Sequence, residues 1–226
     1  MHAANKRLGK MTIKEIEDQL LKYTASGKKI FVTSSFQTQS IPLLHILSKI
    51  KKDIDVLFIH TGFHFTESIA FRDEVVALLG LNLIDVRPLV SKSQQKDAEG
   101  QFYFVSDPDY CCFLNKTQPL EPYLMQYDIW ISGVRANQSA TRKKMSTEQA
   151  APFDILRFHP MLDWTAKQIY EYRQLHQLPE HPLDAQGYQS IGCVPCTRRF
   201  DSADERSARW FGMNKTECGL HTELIG

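Results

Sequence analysis

Between Ile30 and Leu175 the chain alternates short apolar runs with longer amphipathic ones, and that alternation points to a mostly parallel sheet covered by helices on both faces. Parallel neighbours cannot be joined by a tight hairpin; they need a long crossover, usually a helix. "KKIFVTSS", "DIDVLFIH", "LNLIDVRP", "DIWISGV" and "FDILRFHP" are the five strand candidates, the third ended by Pro88. A helix precedes them: in "MTIKEIEDQLLKY", Ile13, Ile16, Leu20 and Tyr23 share one face, and Thr12 with Glu15 makes a capping box. "IPLLHILSKI" takes Pro42 in its first turn, and "TESIAFRDEVVALLG" is capped by Thr66 and stopped by Gly80. "WTAKQIYEYRQLHQL" is capped by Asp163 and ends before Pro179. "YCCFLNKTQPLEPYLMQY" reads as short helical pieces broken at Pro119 and Pro122, and the polar run from Ser91 to Asp109 as a surface excursion. No strong periodicity follows Glu180. The expected architecture is a five-stranded α/β domain over residues 1–200 and an irregular tail over residues 201–226.

In such sheets ligands bind in the crevice at the carboxyl ends of the strands. "SSFQTQS" after the first strand, "HTGFHF" after the second and "GVRANQSATR" after the fourth all open there, so the active site is expected at that edge. "SSFQTQS" runs into a helix N-terminus, whose free N–H groups favour an anion, although an ordinary capped turn would look the same. Neither G-x-x-x-x-G-K-[ST] nor an S-G-G-x-D run is present, so the loop is not an ATP-splitting one. Arg135, Arg142, Lys143 and Lys144 suit a polyanion or form a solvated basic loop. A second basic cluster holds Arg198, Arg199, Arg206 and Arg209.

A formal charge of +1 with 42% hydrophobic residues argues against disorder and against a globally basic nucleic-acid binder. The N-terminus has no apolar core of signal-peptide length, and no run approaches a membrane span, so a cytoplasmic location with neither nucleic-acid nor membrane partners is expected. In a reducing compartment the 5 cysteines are metal ligands or redox groups before they are disulfides. Four form two pairs, Cys111 with Cys112 and Cys193 with Cys196. Adjacent cysteines reach poorly around one tetrahedral zinc ion, whereas in a four-iron cluster each thiolate has its own iron. Iron–sulfur is therefore favoured over zinc, with buried thiols the remaining reading. Lys116 lies one turn after Cys112. Cys218 stands apart in a polar segment with Gly219 beside it and His221 nearby, which marks either a reactive nucleophile or a spectator thiol.

"ECGLH" near the C-terminus, with "CC", "GYQSIGC" and "GCVPC" upstream, resembles the assimilatory sulfonucleotide reductases, the adenylyl-sulfate and phosphoadenylyl-sulfate reductases that make sulfite. "VTSSF", "HTGFHFTES" and "SGVRANQSATR" are similar to the family's nucleotide loops in the same order. The resemblance implies an adenine-nucleotide α-hydrolase-like fold, a [4Fe–4S] cluster on Cys111, Cys112, Cys193 and Cys196, and a catalytic Cys218 on a mobile tail. It implies substrate contacts at Ser34, Ser35, Phe36, Gln37, Thr61, Gly62, Lys116, Arg135, Arg206, Arg209 and His221. His60 stands where the family commonly has an aspartate. The implied reaction is reduction of adenylyl sulfate, or alternatively phosphoadenylyl sulfate, through an S-sulfocysteine, with thioredoxin or a glutaredoxin as thiol donor. Lys143 or Lys144 would meet a 3′-phosphate. A homo-oligomer is compatible with the sequence. The rival readings are an ATP-dependent RNA sulfur-transfer enzyme and a non-enzymatic iron–sulfur protein.

Overall fold

The computed structural model describes residues 9–199, 208–210, 212–213, 215, 217–221 and 224. Its sheet has six strands rather than five: β1 Ile30–Thr33, β2 Asp55–Ile59, β3 Asn82–Val86, β4 Ile129–Ser132, β5 Glu148–Ala150 and β6 Leu156–Phe158. They lie in the order β3-β2-β1-β4-β6-β5, and all neighbours are parallel except β5 and β6. The unforeseen strand β5 is a three-residue antiparallel edge whose polar "EQA" carries no strand signature.

Side-chain alternation along the strands divides the interior in two. Ile30, Val32, Val56, Phe58, Ile129 and Ile131 face one core, filled by Ile16 and Leu20 of α1 Ile13–Ala25, Leu44 and Leu47 of α2 Ile41–Ile50, Phe71 of α3 Thr66–Leu79, and Ile169. Phe31, Leu57 and Trp130 point the other way, toward Leu120, Leu124 and Leu224. Leu224 is buried there, so the C-terminal segment is anchored in the second core.

Among the helices, the Thr12–Glu15 capping box and the Gly80 stop, at φ 62°, stand as expected. Thr66 is not a cap but the first residue of α3, after Phe65. Asp163 does not cap the last long helix either: Thr165, paired with Gln168, does so two residues further on. The proline-rich stretch is less broken than its prolines suggest. After α4 Tyr103–Ser106 come α5 Pro108–Cys112, a π-helical turn Phe113–Thr117 and α6 Gln118–Leu124, with Pro119 in the first turn, where no N–H is needed, and Pro122 inside α6. The Ser91–Asp109 excursion is pinned at its base by buried Gln95, whose amide exchanges two hydrogen bonds with that of Asn115, at 2.6 and 3.0 Å. The remaining helices are α7 Ala140–Lys143 and α8 Ala166–Leu175. Among the described residues no helix is long and apolar enough to cross a membrane.

Candidate active site

The strand order reverses direction between β1 and β4, and the main cleft opens at the carboxyl ends of these two strands, walled by Thr33, Ser34, Ser132 and Gly133. The loop after β1 is held open by one residue. Phe36 has a left-handed backbone (φ 52°) and a ring buried against Phe58, 5.8 Å between centroids, so the side chain expected to contact substrate belongs to the core. Its neighbours Ser35 and Gln37 are thereby turned to the cleft. Gln37 donates to Ser35 Oγ (3.0 Å) and accepts from the Ile191 N–H (2.9 Å), while Thr38 donates to Asp184 (2.5 Å). These bonds tie the loop to the segment that leads into the second cysteine pair.

The loop after β2 makes a second tie. Gly62, at φ 77°, supplies a left-handed turn that a side chain would strain, and Thr61 Oγ1 comes within 3.3 Å of Cys193 Sγ. Val194 donates its N–H to Phe63 O at 2.7 Å, strapping the CVPC segment to this loop. His64, which sequence reasoning passed over, also lines the cleft, and burial depresses its pKa to about 4, so it is a neutral wall. His60 faces Arg87 instead (3.1 Å) and does not line the cleft.

Cys111 and Cys112 on α5, with Cys193 and Cys196 around a single 3₁₀ turn, line one small cavity together with Phe63, Phe104 and Lys116. Among the described residues no three His, Cys, Asp or Glu side chains are gathered closely enough to hold a metal ion. The four thiols on the wall of one cavity are the donor set that a four-iron cluster takes, one thiolate to each iron. Burial pushes the Cys111 thiol up to about 12 and Cys196 up to about 11, helped by the neighbouring sulfurs, so only a strongly bound cation would keep them deprotonated. The π-helical turn after α5 carries Lys116, whose Nζ lies 3.6 Å from Cys112 Sγ and which lines both this cavity and the main cleft. Burial alone would lower its pKa, but the Cys218, Cys193 and Cys112 sulfurs around it outweigh that and raise it.

Cys218 is half-buried on the wall of the main cleft, not the exposed thiol its polar surroundings suggest. Two arginines hold its segment. Glu217, 4% exposed, accepts from Arg142 Nε (3.0 Å) and Nη2 (3.1 Å), from Ser139 Oγ (2.9 Å) and from the Cys218 N–H (3.0 Å). Arg157, entirely buried on β6, donates to the Leu220 and Leu224 carbonyls and to His221 Nδ1. Glu217 opens the ECGLH motif, but nothing in the sequence marks it as a latch, and Arg157 lies in no motif at all.

The structure thus brings Ser34, Ser35, Gln37, Thr61, Lys116, Arg209, Cys218 and His221 to one cleft. Arg209 fits because residue 192 is glycine: a Cβ there would overlap its guanidinium. Gly62 and Phe36 do not line the cleft, and Arg135 lines a neighbouring one beyond Gln37, where it donates to Gln39 (3.0 Å). Lys143 and Lys144 are exposed and off the cleft, and Arg206 lies outside the described residues.

Residues 29–199 match the model of the phosphoadenosine phosphosulfate reductase domain. The chain is 39% identical to the adenosine 5′-phosphosulfate reductase of Rhodococcus erythropolis, over 79% of this chain and 73% of that one. It is 41% identical to the phosphoadenosine 5′-phosphosulfate reductase of Gloeobacter violaceus, over 86% and 83%. In fold it is similar to the crystal structure of phosphoadenylyl-sulfate reductase from Candida auris, with a TM-score of 0.65 over 82% of this chain and 98% of that one at 21% identity.

Proposed function

Because the chain belongs to the phosphoadenosine phosphosulfate reductase family, we propose that it reduces adenylyl sulfate to sulfite and AMP in sulfate assimilation, in the cytoplasm, with thioredoxin or a glutaredoxin as thiol donor. The observation that carries this reading is one cleft at the sheet's switch point that gathers Cys218, Lys116, Arg209 and His221 together with the hydroxyl- and amide-lined loop Ser34–Ser40. The Cys218 thiolate attacks the sulfonate sulfur; an S–S bond forms, the S–O bond to phosphate breaks, and AMP carries the electron pair away. Lys116 and Arg209 offset the charge on the sulfonate and phosphate oxygens, which would otherwise repel an anionic nucleophile. A thiolate of the donor then attacks Cys218 Sγ and expels sulfite, and its second thiol resolves the mixed disulfide. For that step the tail lifts Cys218 out of the cleft to a partner too bulky to enter.

Cys111, Cys112, Cys193 and Cys196 would hold a [4Fe–4S] cluster, which when bound joins α5 to the CVPC turn and adds its charge beside Lys116. What the chain's own residues do there is position Lys116: the π-helical turn aims it past Cys112 into the cleft.

Adenylyl sulfate is preferred over its 3′-phosphorylated form because the cations on the described cleft wall, Lys116, Arg142 and Arg209, stand with the tail and cysteine segments. The Ser34–Ser40 end lines the cleft with hydroxyls and amides, Arg135 donates to Gln39 from the neighbouring cleft, and Lys143 and Lys144 line neither. Sulfite release from each nucleotide by anaerobically purified protein with thioredoxin tests both statements. A kcat/KM favouring adenylyl sulfate is expected; no sulfite from either nucleotide refutes the reductase reading, and preference for the phosphorylated one refutes the substrate choice.

A further inference from the structure

Arg157 is an expensive residue to place where it is. Its side chain is 0% exposed and its Nε has no partner. No carboxylate among the described residues pairs with it, although a buried cation ordinarily needs one. Its guanidinium lies 4.1 Å from the centre of the Trp130 ring, the residue directly beside it on β4, which gives partial compensation. Every hydrogen bond it makes goes to the C-terminal segment: Nη1 to Leu220 O (3.1 Å) and Leu224 O (3.2 Å), Nη2 to His221 Nδ1 (3.0 Å).

The last of these bonds has a chemical consequence. A guanidinium has no acceptor, so Nδ1 must accept, which requires that it carry no proton. The neutral imidazole then bears its hydrogen on Nε2, on the far side of a ring that walls the cleft next to Cys218. The His221 N–H also closes a turn onto Cys218 O at 2.8 Å, so a fork gripping His221 and Leu220 fixes the pose of the cysteine as well.

Resting on the reductase reading above, we infer that Arg157 is a positioning residue of the reaction: it clamps the closed tail and holds His221 as a neutral Nε2–H donor toward substrate oxygens. His221 therefore does not serve as a second cation beside the thiolate. Burial pushes the Arg157 pKa down to about 9, further lowered by Arg142 and opposed by Cys218, which still leaves the clamp charged at neutral pH. When the tail lifts, the guanidinium trades its three tail acceptors for water, so the clamp acts in the closed state alone.

The test is the tautomer of His221, read by long-range proton–nitrogen correlation on cluster-loaded protein labelled at its 8 histidines, with His221→Gln to assign the signal. The wild type should show the Nε2–H form near neutral pH. In Arg157→Met, which keeps bulk without a donor, that preference should vanish. Amide exchange at Gly219–His221 should quicken by about tenfold or more, and transfer of sulfonate to Cys218 in a single turnover should slow by a comparable factor. Arg157→Lys should recover part of each. An imidazolium or an Nδ1–H tautomer in the wild type overturns the inference without any variant, as does an Arg157→Met protein with wild-type tautomer and exchange. The first two measurements need no substrate, so the expected tautomer in a protein that makes no sulfite would sink the reductase reading and not the clamp.

Discussion

Replacing Glu217 by glutamine should unlatch the tail without unfolding the domain. Its carboxylate accepts two hydrogen bonds from Arg142 and one each from Ser139 and the Cys218 N–H, with the Glu217 side chain 2% and the Arg142 side chain 9% exposed. A hydrogen bond to a charged group contributes about 1.5–3 kcal/mol. Glutamine keeps one accepting oxygen and turns an N–H₂ toward a guanidinium, so at least one such bond is lost. In a rigid interior, removing one partner of a buried pair costs roughly 3–5 kcal/mol. Here the segment can lift and let Arg142 hydrate, which caps the loss near one charged bond. About 2 kcal/mol corresponds to a roughly 30-fold fall in the closed-to-open ratio. Amide exchange at Cys218–Leu220, compared between wild type, Glu217→Gln and Glu217→Asp, reads that ratio. A thermal midpoint close to wild type is expected alongside it, since both hydrophobic cores keep the rest of their contacts. Unchanged exchange in Glu217→Gln would refute the assignment of Glu217 as the latch.

Cys193→Ser should lose iron, its brown colour and much thermal stability, because the ligand set joins the CVPC turn to α5; full iron content by metal analysis would contradict the ligand assignment. Gly192→Ala should keep its iron but push Arg209 aside, lowering kcat/KM for adenylyl sulfate by about tenfold or more, roughly one charge-assisted contact; unchanged kinetics would show that Arg209 does not touch substrate. Burial, reinforced by Arg157, depresses the His159 pKa to about 3, and burial depresses His181 to about 4. Below the unfolded value near 6.5 the unfolded chain binds protons that the native one refuses, so stability should be fully present above pH 6.5 and fall toward acid. The slope is up to about 1.4 kcal/mol per pH unit for each histidine. Urea unfolding between pH 6.5 and 5 should show this, with a shallower slope in His181→Gln; a flat profile would contradict the burial of both neutral rings.

Periodicity made five strands and the four long helices legible because each carries its own apolar face. β5 was invisible for the opposite reason: Glu148, Gln149 and Ala150 form a strand only because β6 offers an edge. Thr66 and Asp163 are plausible caps by type, yet capping is settled by the local backbone, which selects Thr165 and leaves α3 uncapped by any side chain. At the site, the cysteine pairs, the loops Ser34–Ser40 and His60–Phe65, and Cys218 were readable as motifs. Phe36 was not, because its motif gives its place in the loop but not the left-handed turn that sends its ring into the core. Arg142 read as part of either a polyanion site or a solvated loop, and it is instead buried on the cleft wall against Glu217 of the tail, while nothing in the sequence marked Arg157. Both act on residues more than sixty positions away, a pairing that no local pattern encodes.

The central claim is that Cys218 and no other thiol takes the sulfonate. Mass spectrometry of wild-type protein given adenylyl sulfate and no thiol should find one added sulfonate on the peptide containing Cys218, released as sulfite when thioredoxin is added. An adduct on Cys111, Cys112, Cys193 or Cys196, or sulfite made by Cys218→Ser at a comparable rate, would contradict it.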